Sequence, residues 1–192
     1  MTRLHLVRHG PTHIRGMVGW SDPPADLSDV EAIARLSAHL PPEALVISSD
    51  LSRASATADA IQGTRRRLPH RAALREINFG TWEMRPYKEI EAEDPERARA
   101  YWDQPGEVRP PEGESWNEVC ARIDGAVDAL IAEHDGADLV IVAHFGVILS
   151  QVQRALGVAP NDAFGYRIDN LSVTEIQRLP EGWNLGRINH LP

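Results

Sequence analysis

The stretch Leu139-Val140-Ile141-Val142-Ala143-His144-Phe145-Gly146 decides how the rest of the chain reads. A continuous apolar run rich in β-branched residues is expected of a strand covered on both faces. A helix is expected to follow it, from about Val147 to Leu156. Two earlier segments repeat this order. Residues 2–8 read as a strand stopped by Gly10-Pro11, with a loop over 10–27. Ser28 then opens a helix, with Glu31 completing a capping box, and Pro41-Pro42 ends it. Leu45-Val46-Ile47 reads as a buried strand, followed by a helix from about Ser52 to Ile61.

The remainder fits around these units. Residues 74–84 read as loop, 86–103 as helical and 104–114 as loop. Ser115 and Glu118 form a capping box at the head of a long helix striped with Val119, Ile123, Val127 and Leu130. Two strands, near 171–178 and 183–189, flank the turn Pro180-Glu181-Gly182. Strands alternating with helices predict an α/β fold: a three-layer α/β/α sandwich on a mostly parallel sheet. One domain over residues 1–192 is expected, with 84–114 as a small helical and loop insertion.

Composition narrows the function. Lys and Arg number 20 against 28 Asp and Glu, so the formal charge is 20 − 28 = −8. An acidic chain is a poor match for nucleic acid or an anionic membrane, and neither partner is expected. The single cysteine, Cys120, excludes an internal disulfide and a cysteine-based zinc site. The only lysine, Lys88, follows Tyr87, so no GK[ST] phosphate loop exists. Nineteen arginines leave bidentate oxyanion binding well supplied. Arg65-Arg66-Arg67 reads as a solvated turn. Charge interrupts the first apolar run and no segment approaches the roughly 20 apolar residues of a membrane span. A cytoplasmic location is expected.

Ligands of open α/β sheets bind outside the carboxyl ends of the strands. Those ends carry Arg8-His9-Gly10, Ser48-Ser49-Asp50-Leu51-Ser52-Arg53 and Ala143-His144-Phe145-Gly146. Two histidines and two arginines thus meet at one edge, beside helix N-termini. Arginines and helix N-termini hold phosphate, and a neutral, oriented histidine attacks phosphorus. Pattern alone therefore points to phosphate chemistry.

Four ordered blocks carry a family resemblance. They are Leu6-Val7-Arg8-His9-Gly10-Pro11-Thr12, Ser48-Ser49-Asp50-Leu51-Ser52-Arg53-Ala54 with Thr57-Ala58, Leu74-Arg75-Glu76-Ile77-Asn78-Phe79-Gly80-Thr81-Trp82-Glu83, and Val142-Ala143-His144-Phe145-Gly146-Val147-Ile148. Together they resemble branch 1 of the histidine phosphatase superfamily, whose fold is phosphoglycerate mutase-like. The resemblance implies that His9 is the nucleophile that becomes phosphohistidine. It implies that Arg8, Arg53 and His144 hold the phosphoryl oxygens and that Glu76 protonates the leaving oxygen. Thr12 would donate a hydroxyl to the phosphate. Arg15, Trp82 and Phe145 are expected at the substrate, with Tyr87 near the acid. No cofactor and no metal is implied.

Three positions depart from the family pattern. Arg15 stands where the mutases usually have asparagine, Met84 where Trp-Glu usually precedes glycine, and Phe145 where glycine usually follows the second histidine. Taken alone, His9, Arg53 and His144 would be ordinary residues at strand and helix ends, and Glu76 a loop carboxylate. Glu83 reads equally as structural carboxylate or second acid. His5, His9 and His13 are four apart, but a strand followed by Gly-Pro does not place them on one face.

The expected function is a metal-independent phosphomonoester hydrolase acting on a small phosphorylated metabolite. The short gap of 144 − 76 = 68 residues and the Glu76–Glu83 block look more like the phosphatase branch, which includes the α-ribazole-5′-phosphate phosphatases. The alternatives are a phosphoglycerate-type mutase, a non-catalytic phosphate-ligand binding protein and a metal-dependent hydrolase. Oligomeric state is left open, a homodimer included.

Overall fold

The computed structural model describes residues 1–192. Five strands form one sheet: β1 (Arg3–Arg8), β2 (Leu45–Ser48), β3 (Asp138–Ala143), β4 (Val173–Leu179) and β5 (Gly182–Leu185). Their spatial order is β2-β3-β1-β4-β5. The β2-β3 and β3-β1 pairings are parallel, whereas β1-β4 and β4-β5 are antiparallel. The sheet is therefore mixed rather than mostly parallel. The C-terminal hairpin strands make both antiparallel pairings: the tight turn at Pro180-Glu181 reverses the chain between β4 and β5, and β4 itself runs antiparallel to β1.

Seven helices cover the sheet: α1 (Val30–His39), α2 (Ser52–Ile61), α3 (Tyr87–Glu93), α4 (Pro95–Asp103), α5 (Trp116–Glu133), α6 (Phe145–Leu156) and α7 (Pro160–Ala163). Alternation along each strand divides the core in two. Leu4, Leu6, Leu139 and Ile141 face α5 and α6, where Val119, Ile123, Val147 and Ile148 pack. Val7, Val46, Val140 and Val142 face α1 and α2, meeting Leu36, Ala54, Ala58 and Ile61. This is the three-layer α/β/α sandwich. No helix is long and apolar enough to cross a membrane.

Local chemistry sets the helix limits. Ser115 and Glu118 form the reciprocal capping box at α5. At α1 the expected Ser28–Glu31 box is absent. Asp29 caps instead, accepting from the Ala32 N–H at 3.0 Å, while Ser28 N–H donates to Asp26. The helical stretch 86–103 is two helices. Pro95 disfavours helical geometry at Asp94, whose side chain caps α4 by accepting from the Arg97 N–H. One short 3-10 turn, Ala72–Leu74, leads into the segment 74–84, and a second, Gly80–Trp82, lies within it.

The Arg65-Arg66-Arg67 run is not a solvated turn. Arg65 is buried, and its guanidinium donates to the carbonyls of Ser37, Leu40, Pro41, Ile61 and Gln62. These are the open C-terminal carbonyls of α1 and α2, which a planar five-donor cation satisfies together. Arg67 closes the neighbouring turn through Asp59, Leu68 and Ser48. Only Arg66 is exposed.

Candidate active site

Strand register places the two histidines together. Arg8 pairs with Ala143 across β1 and β3, and His9 donates its backbone N–H to the Ala143 carbonyl at 3.0 Å. His9 and His144 therefore leave the sheet side by side, with ring centroids 5.1 Å apart. His9 Nδ1 lies 2.6 Å from the Gly10 carbonyl, an oxygen that only accepts. That contact fixes the proton on Nδ1 and leaves a lone pair on Nε2. Arg53 donates its Nε–H toward that lone pair at 3.3 Å. Burial, with Arg53 and Arg8 adding like-charge repulsion, pushes the His9 pKa down to about 3. His9 is neutral at physiological pH.

The arginines are fixed by carbonyls rather than carboxylates. Arg53, on α2, donates to Ser21 O at 2.7 Å and Gly19 O at 2.6 Å. Arg8 donates to Ile168 O at 2.6 Å, and its Nε is buried without a partner. His144 is fully buried, and neither ring nitrogen has a partner. Burial, reinforced by His9 and the two arginines, holds it well below the usual histidine pKa. Buried donors without acceptors are costly, so this corner is built to receive an anion.

Glu76 sits opposite. It is buried, and its carboxyl accepts from the N–H groups of Ile77 at 3.0 Å and Gly146 at 3.0 Å. Burial raises its pKa and outweighs those two donors and the nearby Arg53 and Arg8. The carboxyl thus favours its protonated form more than an ordinary glutamate does.

Arg8, His9, Thr12, Arg53 and Glu76 all line one cavity of about 290 Å³. Its remaining wall is apolar and includes Ile14, Met17, Val18, Phe79, Trp102 and Phe145. Phe145 lies with its ring centroid 5.7 Å from the Arg8 guanidinium carbon. Three residues expected at the substrate or beside the acid do not line the cavity. Trp82 is 3% exposed and packs edge-on against Tyr101 in the core. Arg15 is exposed and does not line the cavity. Tyr87 packs against the core instead. The tryptophan in the wall is Trp102, presented by α4 and braced by Tyr101 and Phe164 at 5.0 and 6.0 Å between centroids.

Three supports hold the site, and of these only Glu83 is singled out from sequence. Glu83 accepts from the N–H groups of Gly19, Trp20, Ser21 and Phe79, at 2.7 to 3.2 Å. It shapes the loop whose carbonyls hold Arg53, so it is structural rather than a second acid. Arg122 pairs with Glu114 and donates to Arg75 O and Glu76 O, which fixes the loop carrying Glu76. Asn170 donates to His9 O at 2.8 Å. Arg122 and Asn170 lie far in sequence from the Glu76 and His9 carbonyls they hold, so no local motif marks them. Among the spaced histidines, His5 sits under the sheet 3.7 Å from Asp138, and His13 pairs with Asp26 at the surface, 2.8 Å away.

The model of the histidine phosphatase superfamily, branch 1, matches residues 4–191. The chain belongs to that family. An Escherichia coli adenosylcobalamin/alpha-ribazole phosphatase is 29% identical over 87% of this chain and 85% of its own. A protein of Erwinia tasmaniensis named "Probable phosphoglycerate mutase GpmB" is 30% identical, covering all of this chain and 95% of its own. The solved structure of Bacillus stearothermophilus YhfR superposes with a TM-score of 0.88 at 28% identity, over 96% of this chain and 95% of that one. The Mycobacterium tuberculosis relatives are 32% identical over 91% of this chain, and the chain spans half of their length.

Proposed function

We propose that this histidine phosphatase superfamily member hydrolyses small phosphomonoesters through a phosphohistidine at His9. One observation carries the reading. The Nδ1–H of a buried, neutral His9 is engaged by Gly10 O, so the Nε2 lone pair faces a cavity shared with the raised-pKa acid Glu76.

The steps follow from these positions. A phosphoryl group draws the N–H groups of Arg8 and Arg53 to its oxygens and gives His144 a partner. His9 Nε2 attacks phosphorus, and the bond to the ester oxygen breaks. Glu76 gives its proton to that oxygen, and the alcohol leaves. Water then attacks the phosphohistidine, Glu76 takes the water proton, and the N–P bond breaks. Ester and water become alcohol and inorganic phosphate, and the residues return to their starting state. Fixed cations aimed at the equatorial oxygens supply most of the transition-state stabilisation.

Within this class α-ribazole 5′-phosphate is the specific substrate we favour, supported by the Escherichia coli relative's name and by an aromatic wall fit for a heteroaromatic base. The Erwinia tasmaniensis relative's name favours mutase chemistry as a second reading. The test is phosphate release in chelator from α-ribazole 5′-phosphate, phosphoglycerates and sugar phosphates. Turnover by wild type and none by His9→Ala is expected. Isomerisation of phosphoglycerate that needs a bisphosphate primer, with little hydrolysis, would establish the mutase reading instead.

A further inference from the structure

The cavity lining is of two chemistries: Arg8, His9, Thr12, Arg53 and Glu76 are polar, and Ile14, Met17, Val18, Phe79, Trp102 and Phe145 are apolar. Arg8 and Arg53 are the only cations that line it; Arg53 donates toward His9 Nε2, and Arg8, which lies over the Phe145 ring, has its Nε without a partner. Both are assigned to the phosphoryl group, and no further cation lines the cavity for a second anion. Arg15, the nearest candidate in sequence, is exposed outside the lining.

The apolar wall at Trp102 is also stiff. Trp102 meets Tyr101 and Phe164 edge-on, and Tyr101 is held in turn by Trp82 and Phe79 at 5.4 and 6.4 Å. Phe164 continues the series to the buried Trp116, 4.7 Å away. A ring fixed by this many edge-to-face contacts presents a flat, pre-ordered surface at little entropic cost. Ile14 continues the apolar surface to the mouth, where it is 41% exposed.

We infer that Trp102 is a specificity-determining residue and that the pocket selects phosphomonoesters with uncharged, aromatic leaving groups over those with a second anionic group. This rests on the phosphomonoesterase reading above. An aromatic leaving group displaces water from the Trp102 and Phe145 faces and gains stacking. A carboxylate there would be desolvated against apolar carbon with no cation beyond the two that the phosphoryl group engages, which is strongly unfavourable.

Three primary alkyl esters test this without differing much in intrinsic reactivity: 2-phenylethyl phosphate, ethyl phosphate and 3-phosphoglycerate. Wild type should turn over the phenylethyl ester with kcat/KM about 10- to 100-fold above the ethyl ester, with 3-phosphoglycerate poorest. In Trp102→Ala the phenylethyl-to-ethyl ratio should fall about tenfold, and in Trp102→Phe much less. Binding of the same esters to His9→Ala reads the wall independently of turnover and should give the same order. A 3-phosphoglycerate preference in both assays, or a ratio unchanged by Trp102→Ala, overturns the inference. Binding in the expected order with no ester hydrolysed by wild type overturns the phosphomonoesterase reading and leaves the wall assignment standing.

Discussion

Gly146 donates its backbone N–H to both oxygens of the Glu76 carboxyl, at 3.0 and 3.2 Å. The helix that begins just after His144 thus positions the proposed acid as well. A Cβ built on Gly146 would lie 2.5 Å from Glu76 Oε1 and 2.9 Å from the Ile77 side chain. Glycine is required here by close approach, not by backbone conformation. Gly146→Ala should displace the proposed acid and lower kcat/KM for alkyl phosphates about 10- to 100-fold, and Glu76→Gln about 100-fold or more. Both losses should be much smaller with p-nitrophenyl phosphate, whose leaving group needs no proton. Comparing kcat/KM on the two ester types checks this, because kcat also carries the water step, in which Glu76 serves the same phosphoenzyme for every ester.

The raised pKa of Glu76 fixes the direction of the pH profile. The proposed acid acts on the ester while protonated, so kcat/KM for alkyl esters should fall as pH rises through its folded pKa. That limb should vanish in Glu76→Gln. Stability should move the other way in acid. His9 and His144 stay neutral in the fold but take up protons below about pH 6.5 once unfolded. The unfolded chain then binds more protons, so stability should fall as pH drops from about 6.5 toward 3. Urea midpoints measured across that range should decline, and less steeply for His9→Asn.

Glu83 acts through Arg53. It gathers the Gly19, Trp20 and Ser21 N–H groups, and the carbonyls of Gly19 and Ser21 hold the guanidinium that faces His9. An amide in its place turns donors against donors. Glu83→Gln should lower kcat/KM about 10-fold or more on alkyl and nitrophenyl esters alike. Inhibition by inorganic phosphate should weaken in step, which loss of a proton donor would not cause.

Arg65 offers a contrast, because its contacts lie away from the cavity. Arg65→Ala strands the carbonyls at the ends of α1 and α2. Unfolding free energy should fall by about 2–4 kcal/mol, as several buried acceptors lose their donor. The kcat of the folded variant should be that of wild type. Denaturant titration together with initial rates separates the two effects.

Sequence carried most where the signal is local. The apolar runs of β1 and β3, the span of α2 and the Ser115 box were legible because each depends on neighbours in the chain. So was the convergence of His9, Arg53 and His144, since parallel strands place their ends on one edge. Features settled by distant contacts were not. Trp82 belongs to the Glu76–Glu83 block in sequence, yet Tyr101 packs over it in the core and Trp102 takes the wall. Arg65 reads as surface charge because its acceptors come from two helix ends. The Ser28 cap failed because Asp29, one residue on, binds the same kind of N–H.

The central claim is that the phosphoryl group passes through His9. Rapid quenching of the enzyme with a phosphorus-labelled ester in chelator, followed by mass spectrometry of the alkaline-stable adduct, tests it most directly. One acid-labile phosphoryl group per chain on His9, formed faster than steady-state turnover and absent from His9→Ala, is the predicted result. Steady turnover with no adduct on His9, or undiminished hydrolysis by His9→Ala, would contradict it.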